Sequence, residues 1–566
     1  MAEHIVGSSL NQMIVRGLSF ADAKPHLAIV LVCLLALLPG FFITPPLDRD
    51  ESRYAQASRQ MLETGDFVEI RYQETARNKK PAGIYWMQAA SASLFGGAET
   101  APIWAYRIPS LLGAIGAALA TFWAGCILFT RREALIGALL LGTSLLTVVE
   151  GHIAKTDAMV LLTVVLCMGV MARAYLSARR GEPRPGWGAT TIFWIAMGLG
   201  ILIKGPITPM ICALSFVALS IMDRDIKWGA RLRPITGIFI AAVVAAPWLI
   251  AIWIATDGAF FLEAVGTDML GKVGSSQERH GGIPGYHFLL LSLLFFPASL
   301  FVWPSLRKAW DQRTDYAVRF CIAWIVPTWI VFEVTSTKLP HYVLPVYPAL
   351  ALLVAHFVLS ASANEFPRWR KTGVVLFVVA ANLLAIASFV TPFFYGGGVI
   401  WWILAPSLLI SFASFWVARA AWSNANELVL AKGLVTGVLT MGIVFQLILP
   451  QLTDLALSPR LADAVARHQG SGEPATASSG YTEPSLVFAL GTDTMLGRPE
   501  ASAEHLAATP GAVALIIGRM NDRFLARASE LEMDVEVREI VHGFNYSGGD
   551  PLDISVYRVV TAEDNQ

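Results

Sequence analysis

An acidic cluster in this sequence has the composition of a general-base site next to a membrane. Residues 48–54 combine three carboxylates with two arginines, directly after an apolar run long enough to cross a bilayer. One acidic residue is enough to cap a helix, so capping alone does not explain three. A carboxylate beside arginines stays ionised near neutral pH and can accept a proton from an attacking hydroxyl. We therefore predict that Asp50 is catalytic, while Asp48 and Glu51 fit a functional role and a helix cap equally well.

Basic and aromatic side chains follow in the same segment. Residues 77–86 read Arg-Asn-Lys-Lys-Pro-Ala-Gly-Ile-Tyr-Trp. Basic residues followed by an aromatic pair are typical of a membrane-interface anchor. They are equally typical of a site for a phosphate at the level of the lipid headgroups. This segment alone leaves both interpretations open.

Long apolar runs must position these groups. The chain has 566 residues, of which 55% are hydrophobic and 15% charged, and its net charge is zero. This composition excludes a single soluble domain, and the charge gives no indication of a nucleic-acid partner. Runs of about 20 apolar residues form membrane-spanning helices. About thirteen such spans are predicted by this length criterion. They lie near residues 27–44, 103–127, 134–150, 157–176, 189–203, 206–222, 234–256, 287–305, 319–335, 342–360, 372–391, 400–418 and 432–449.

The distribution of lysine and arginine orients these spans. Every second connecting segment is basic, as in Arg131-Arg132 and in residues 224–233. Cytoplasmic loops carry such an excess, so we predict that this set is cytoplasmic. The outer loops 45–102 and 257–286 then face the other side. An odd number of spans also puts the tail after residue 450 outside, which in a bacterial inner membrane means the periplasm.

Three turns on the outer side carry polar motifs, at residues 151–157, 204–206 and 336–342. Each is compatible with an ordinary hairpin end. However, Lys155, Lys204 and Lys338 lie on the side where cations should be scarce. The outer loop 257–286 adds Arg279 and His280 in a polar stretch. Several cations on one face predict an anionic ligand there.

The tail has a different composition, which predicts a separate small α/β domain. We expect a membrane domain over residues 1–450, a linker over 451–480 and the α/β domain over 481–566. Strands are predicted at 485–490, 512–517 and 554–560, and a helix at 521–532. Asn545-Tyr546-Ser547 matches a glycosylation sequon, for which chance is the better explanation. The predicted fold class is an all-α polytopic membrane protein with this C-terminal α/β domain.

The ordered set of motifs resembles the polyprenol-phosphate-sugar-dependent glycosyltransferases of the GT-C fold. It is most similar to the aminoarabinose (lipid A) transferase branch, which is related to the protein O-mannosyltransferases. The matching motifs are Asp50-Glu51-x-Arg53-Tyr54-Ala55, Lys80-Pro81 with Tyr85-Trp86, His152 to Asp157, Lys204-Gly205-Pro206, Ser336 to Pro348 and Tyr481 to Leu486. The resemblance therefore extends over nearly the whole chain.

The resemblance implies roles for individual residues. Asp50 would be the catalytic base, Asp157 a second functional carboxylate, and Lys80 the group that holds the donor phosphate. Further substrate-binding residues implied by the motifs are Glu51, Arg53, Tyr54, Tyr85, Lys155, Lys204, Arg279, His280, Lys338 and Tyr342. In that branch a glutamate precedes the lysine of the Lys-Pro motif and helps to bind a metal. Here that position is Lys79, which argues against a divalent metal cofactor.

The expected reaction is a displacement at the anomeric carbon of a sugar linked to polyprenyl phosphate. The acceptor would be lipid A, lipopolysaccharide or another envelope glycan, the enzyme would be a monomer surrounded by membrane lipids, and its site would be periplasmic. A protein O-glycosyltransferase of the same fold is the nearest alternative. A secondary transporter is the other alternative, but it would place ionisable residues near the bilayer midplane.

Overall fold

The computed structural model describes residues 2–264, 266, 282–360, 367–422, 426–472 and 474–560. Nine helices of this described part are long and apolar enough to cross a membrane, as predicted from their composition. These nine are Ile103–Leu128, Asp157–Arg179, Trp187–Lys204, Pro234–Ala255, Tyr316–Val334, Pro340–Ser360, Lys371–Tyr395, Trp401–Ala421 and Asn426–Gln451.

The other four predicted spans are helical but short or interrupted. Length and composition alone therefore support nine of the thirteen predicted spans, or ten with the bent pair, because apolar runs in a sequence continue through turns that end a helix. One is a pair of helices bent by 59°, which makes a tenth span if it is counted as one. The four are Pro25–Leu37, the bent pair Arg131–Gly142 with Leu145–Gly151, Ile207–Asp223, and the pair Tyr286–Leu294 with Ser299–Asp311.

The first outer loop is largely folded. It contains the helix Asp50–Thr64, which we call the first-loop helix. Its buried apolar side chains recur at Tyr54, Ala57 and Met61, so one face packs on the membrane domain. A short hairpin follows, with strand β1 at Arg71–Tyr72 and strand β2 at Thr75–Ala76. The remaining helices outside the spans include Ala2–Ala23, Gly83–Leu94, Gly97–Thr100, Lys227–Leu232 and Ala259–Phe261.

A five-stranded sheet forms the C-terminal part of the chain. Its strands are β3 Ala477–Ser479, β4 Met495–Gly497, β5 Val513–Ile517, β6 Val535–Asn545 and β7 Asp550–Val559. Their order in the sheet is β4-β3-β5-β7-β6; β3 is parallel to β4 and β5, whereas β7 is antiparallel to both β5 and β6. The helices are Leu457–His468, Pro484–Leu490, Pro499–Ala508 and Asn521–Glu530.

Two features of this region differ from the sequence prediction. The strand predicted at residues 485–490 is wrong, because the segment is the helix Pro484–Leu490. A short apolar run does not distinguish the two, and proline at the first helical position favours a helix start. In addition, Leu457 and Leu461 pack in one core with Leu515, although they lie in the predicted linker. We therefore propose that the C-terminal domain begins near residue 457.

Candidate active site

Glu51 connects three segments of the outer face through a buried ion pair with Arg107. Arg107 lies inside the span Ile103–Leu128, and its Nε and Nη2 donate to the two Glu51 carboxylate oxygens at 2.7 and 2.9 Å. The backbone N–H groups of Leu47 and Ala154 also donate to this carboxylate, each at 2.8 Å. A buried bidentate pair with further donors is a fixed geometry. These contacts favour a structural role for Glu51 over the predicted binding of substrate.

Asp50, by contrast, is exposed in the first turn of the first-loop helix. One turn further on, Tyr54 is buried with its ring 5.1 Å from that of Tyr85. The guanidinium of Arg77 lies 5.3 Å from the Tyr54 ring centre, and its Nε donates to Tyr85 Oη at 3.2 Å. Burial, together with Tyr85 and Asp50, raises the pKa of Tyr54 well above its usual value. Tyr54 therefore stays neutral beside the exposed carboxylate.

Five residues meet in a second cluster, which we call the outer charge network. Lys155, Asp157, Lys204 and His341 come from the predicted outer-turn motifs, and Glu150 directly precedes the first of these motifs. Lys204 Nζ donates to Asp157 Oδ1 at 2.5 Å, and Lys155 Nζ lies 3.8 Å from Asp157 Oδ2. Lys155 Nζ is also 3.0 Å from Glu150 Oε2. The His341 ring nitrogens lie 3.6 Å from Glu150 and 3.8 Å from Asp157.

The first-loop helix lies within electrostatic range of this network. Burial acts to lower the pKa of Lys155, but the carboxylates of Glu150 and Asp157 outweigh it, and Asp50 adds to their effect. The pKa of Lys155 is therefore raised, and this side chain carries a positive charge at neutral pH. The exposed carboxylate of Asp50 is thus within electrostatic range of Lys155, which shares a largely buried cluster with Lys204.

The turn that carries Lys155 is held in place by its neighbours. The ring of His152 contacts the carbonyl oxygens of Val148 and Pro39 at 2.8 and 2.9 Å. Burial lowers the pKa of His152, which favours the neutral ring. Ser110 Oγ donates to the backbone carbonyl of Lys155 at 3.1 Å. His152 is therefore a structural residue of this motif.

Lys80 lies three residues before Gly83, which packs against the span that carries Lys204. Gly83 packs so closely on that span that a Cβ atom there would lie 2.7 Å from the Leu202 carbonyl oxygen. Only a glycine permits this approach of the two backbones. Lys80 is half-buried, whereas Lys79 is exposed. The segment that follows Lys80 and Pro81 is therefore held against the helix Trp187–Lys204, whose last residue belongs to the outer charge network.

The remaining predicted residues lie in separate places. Lys338 is buried and its Nζ donates to the Thr335 carbonyl at 3.1 Å. The Tyr342 ring lies 5.3 Å from the ring of His341, and Arg53 is half-buried in the first-loop helix. The predictions for residues 279 and 280, an arginine and a histidine, lie outside the described residues.

Three ionisable residues of this region were not predicted as site residues: Arg107, Glu150 and His341. Arg107 and Glu150 are single ionisable residues inside apolar helices, whereas the predicted site residues were taken from the loops and turns between the spans. Ionisable residues within membrane segments are costly and are usually functional or paired. That rule was the signal available in the sequence.

The residues at this site do not fit a divalent metal. Within the described ranges, no group of three or more histidine, cysteine, aspartate or glutamate side chains has the arrangement of a metal site. Glu150, Asp157 and His341 lie together, but they surround the ammonium groups of Lys155 and Lys204. Lysine ammonium groups take the place that a cation would need.

Comparison with known proteins agrees with the resemblance seen in the sequence. The family described as dolichyl-phosphate-mannose-protein mannosyltransferase matches residues 46–263. The undecaprenyl phosphate-alpha-4-amino-4-deoxy-L-arabinose arabinosyl transferase of Pectobacterium atrosepticum is 27% identical, over 72% of this chain and 73% of its own. The enzyme of that name from Aeromonas hydrophila is 29% identical over 56% of this chain, and the match spans only 57% of that enzyme.

Solved structures extend the similarity to the full length. The crystal structure of ArnT from Cupriavidus metallidurans in the apo state aligns with a TM-score of 0.73 and 19% identity, over 95% of this chain and 98% of that one. The structure of the same protein bound to undecaprenyl phosphate aligns with a TM-score of 0.72 at 19% identity, over 94% and 97% of the two chains. The outer-face motifs, the sequence relatives and this fold together identify the chain as a multi-pass membrane glycosyltransferase of the GT-C fold that uses a lipid-phosphate-linked sugar.

Proposed function

We propose that this enzyme transfers an aminoarabinose-like sugar from undecaprenyl phosphate to an envelope lipid such as lipid A. The donor follows from the relatives that are named for this substrate and from the undecaprenyl phosphate bound in a protein of the same fold. The acceptor is inferred from the aminoarabinose transferase resemblance. The active site and the C-terminal domain face the periplasm of the inner membrane in this proposal, because the basic loops mark the cytoplasmic side. The enzyme acts as a monomer.

One observation carries the proposed chemistry: the exposed Asp50 lies within electrostatic range of Lys155 in the outer charge network. The acceptor hydroxyl attacks the anomeric carbon while the Asp50 carboxylate takes its proton. A new bond forms from the acceptor oxygen to the anomeric carbon as the bond from that carbon to the phosphate oxygen breaks. Polyprenyl phosphate leaves with both bonding electrons, so nearby cations lower the barrier by stabilising its charge.

Lysines supply these cations in the proposal. Lys80 holds the donor phosphate, since it is half-buried and lies three residues before Gly83, which packs on the span that ends at Lys204. Asp157 is the second functional carboxylate, and it acts by orienting Lys155 and Lys204. A lysine ammonium is a point charge with rotatable donors, so it can redirect towards a phosphate as the ligand arrives.

A protein acceptor is the second candidate. It is favoured by the family match over residues 46–263, which is described for protein mannosyltransferases. The two candidates share the donor half of the reaction and differ only in the acceptor hydroxyl. A lipid A acceptor and a serine- or threonine-containing peptide therefore distinguish them in one assay.

The decisive experiment uses the purified full-length enzyme with a panel of undecaprenyl-phosphate-linked sugars, among them aminoarabinose and mannose. Release of undecaprenyl phosphate is measured with lipid A, with peptide and without acceptor. We expect release with aminoarabinose and lipid A only. Release with peptide and mannose would overturn the lipid acceptor, and no release above the Asp50→Asn background with any pair would overturn the transferase chemistry proposed here.

The same assay tests whether a metal takes part. Because Lys79 replaces a carboxylate and two ammonium groups occupy the network, we expect turnover to be unchanged by a chelator. Loss of turnover in chelator that is restored by zinc would contradict this expectation. The variant Lys79→Glu is a stricter test, because it restores the carboxylate at this position. We expect its turnover, too, to be unchanged by a chelator, and a metal dependence would indicate further ligands nearby.

A further inference from the structure

The C-terminal domain contacts the first-loop helix along its whole length. Gln56 Nε2 donates to Thr492 Oγ1 at 2.7 Å, and the same hydroxyl donates to Glu63 Oε2 at 2.7 Å. Arg59 Nη1 donates to the Phe488 carbonyl oxygen at 3.2 Å. Contacts over two helical turns or more fix the angle of a helix. The helix that begins at the proposed base is therefore docked to a domain far away in sequence.

One turn of this domain reaches the residues directly before Asp50. In the connection between β6 and β7, Tyr546 Oη accepts a hydrogen bond from the backbone N–H of Asp48. Arg49 Nη2 donates to the carbonyl oxygen of Ser547 at 3.0 Å. Both contacts lie within two residues of Asp50 in the chain. The turn thus holds the N-terminal end of the first-loop helix.

The turn itself is internally fixed. Asn545 Oδ1 accepts from the N–H groups of Ser547 and Gly548 at 2.9 and 3.1 Å. Asn545 Nδ2 donates to Glu483 Oε1 at 3.2 Å. The amide of the apparent sequon is thus engaged within the protein, and its sequence pattern is that of a tight turn. A turn with these bonds is a rigid support.

Arg49 is the residue that requires such a support. Its φ of 62° lies in the left-handed region, where a residue other than glycine is strained. On the far side of Asp50, the Glu51 carboxylate is fixed by Arg107 at 2.7 Å. Asp50 is therefore held between a buried ion pair and a strained residue. A strained conformation persists only where its surroundings over-determine it.

We propose that Tyr546 and Ser547 are positioning residues that keep Arg49 left-handed and thereby aim the Asp50 carboxylate at the acceptor hydroxyl. The C-terminal domain then completes the catalytic loop and is required for turnover, not only for stability. The inference rests on the proposed role of Asp50. It concerns the orientation of the base and leaves donor binding, which is assigned to Lys80, unaffected.

The first test removes one hydroxyl. Tyr546→Phe is expected to lower kcat about tenfold or more, because displacing a reacting group by about 1 Å costs up to about 100-fold. The KM for the donor and the unfolding temperature should stay unchanged. The matched control is Tyr557→Phe, in the same domain, whose ring packs on Phe524 at 4.7 Å between centroids, away from the first-loop helix. Equal kcat for both variants would overturn the proposal.

A pair of substitutions at residue 49 tests the backbone. Arg49→Ala and Arg49→Gly both lose the contact to Ser547, but glycine adopts a positive φ without strain. The proposal expects Arg49→Gly to retain more turnover than Arg49→Ala. The reverse order would contradict a role of the left-handed conformation in aiming Asp50.

A double variant separates this inference from the proposed function. If Tyr546 acts through Asp50, then Tyr546→Phe should cause no further loss of kcat in the Asp50→Asn background. An additive loss would overturn the positioning role while leaving Asp50 as the base. If instead Asp50→Asn turns over like the unmodified enzyme, the proposed base itself is wrong.

Discussion

The two ends of the helix Asp157–Arg179 bury charges of different kinds. At its first residue, Asp157 meets the ammonium of Lys204 at 2.5 Å and that of Lys155 at 3.8 Å. At its last residue, Arg179 Nε lies 3.0 Å from Asp223, whose carboxylate also pairs with Arg319. Both carboxylates are almost completely buried, with exposed side-chain fractions of 8% and 5%. Burial and charge alone therefore do not distinguish the two ends.

The type of charged partner distinguishes the two carboxylates, Asp157 and Asp223. Asp223 is held by two guanidinium groups and by the hydroxyl of Tyr175 at 2.6 Å, and Arg179 also pairs with Asp225 at 3.0 Å. Guanidinium groups are permanently charged and their planar geometry suits static pairing. The other end uses lysines and a histidine, and the exposed Asp50 lies within electrostatic range of Lys155 there. The Asp223 cluster has the character of a structural joint, and the other that of a site that receives a ligand.

The largest expected effect comes from Asp50→Asn. This change keeps the size of the side chain but removes the proton acceptor, and loss of a general base costs about 10²–10⁴-fold in rate. The donor should bind as before. Turnover and donor affinity are measured in detergent, with Glu74→Gln as the control for an exposed carboxylate of the same loop. Turnover of Asp50→Asn close to that of the control would move the base to Asp48, Glu51 or Asp157.

The next prediction compares the two buried carboxylates, Asp157 and Asp223. Asp157→Asn and Asp223→Asn each leave cations without their partner, and each should lower the free energy of unfolding by on the order of 3 kcal/mol. Only Asp157→Asn should also lower kcat per folded molecule. The measurement pairs thermal unfolding with turnover corrected for the folded fraction. A similar loss of corrected turnover in both variants would remove the distinction drawn between the two ends.

A smaller effect is expected at Lys80. Lys80→Ala removes a cation from the proposed phosphate site, and a charge-assisted hydrogen bond contributes about 1.5–3 kcal/mol, so donor affinity should fall about 10- to 100-fold. Lys79→Ala is the matched control, since it removes the same charge one residue away from an exposed position. Affinity is measured by titration with undecaprenyl phosphate. Equal weakening by both variants would indicate general attraction of an anion and no specific site.

The groups predicted from the sequence are those whose residue type is unusual for their place. Lysines on the outer side broke the positive-inside pattern, and Lys155 and Lys204 do meet at Asp157. The acidic residues Asp50 and Glu51 lie in the first turn of the first-loop helix, where acidic residues are favoured. The sequence favoured Asp50 as the catalytic residue but left the role of Glu51 open, since the direction of a helical side chain relative to the rest of the fold is not fixed by the sequence.

Other features required contacts that are distant along the chain. Glu51 pairs with Arg107, and Asp48 meets Tyr546, which lies 498 residues further on. No local periodicity encodes such a pair. The interruptions of the predicted spans 134–150 and 287–305 were missed for a related reason, because hydropathy measures composition while turns at residues 143–144 and 295–298 depend on backbone geometry. The tail strands at 512–517 and 554–560 were predicted because their alternation or continuous burial is local.

The smallest effect concerns the contact between the first loop and the C-terminal domain. Burial raises the pKa of Asp48 from 3.8 to about 6, with a hydrogen bond from Ser485 opposing the shift and Glu483 adding to it. Between these two values the folded protein binds more protons than the unfolded one, so this group makes the protein less stable as pH rises through the window.

The substitution Asp48→Asn removes the cost of ionising this buried carboxylate. We therefore expect the variant to unfold a few degrees above the unmodified protein at pH 7.5, and at the same temperature near pH 4. Thermal unfolding in detergent at both values checks this, with Glu74→Gln as the exposed control. A variant that is less stable at pH 7.5 would mean that the ionised carboxylate supports the contact, and the interface beside Asp50 would then depend on charge rather than on the hydrogen bonds of Tyr546 and Ser547.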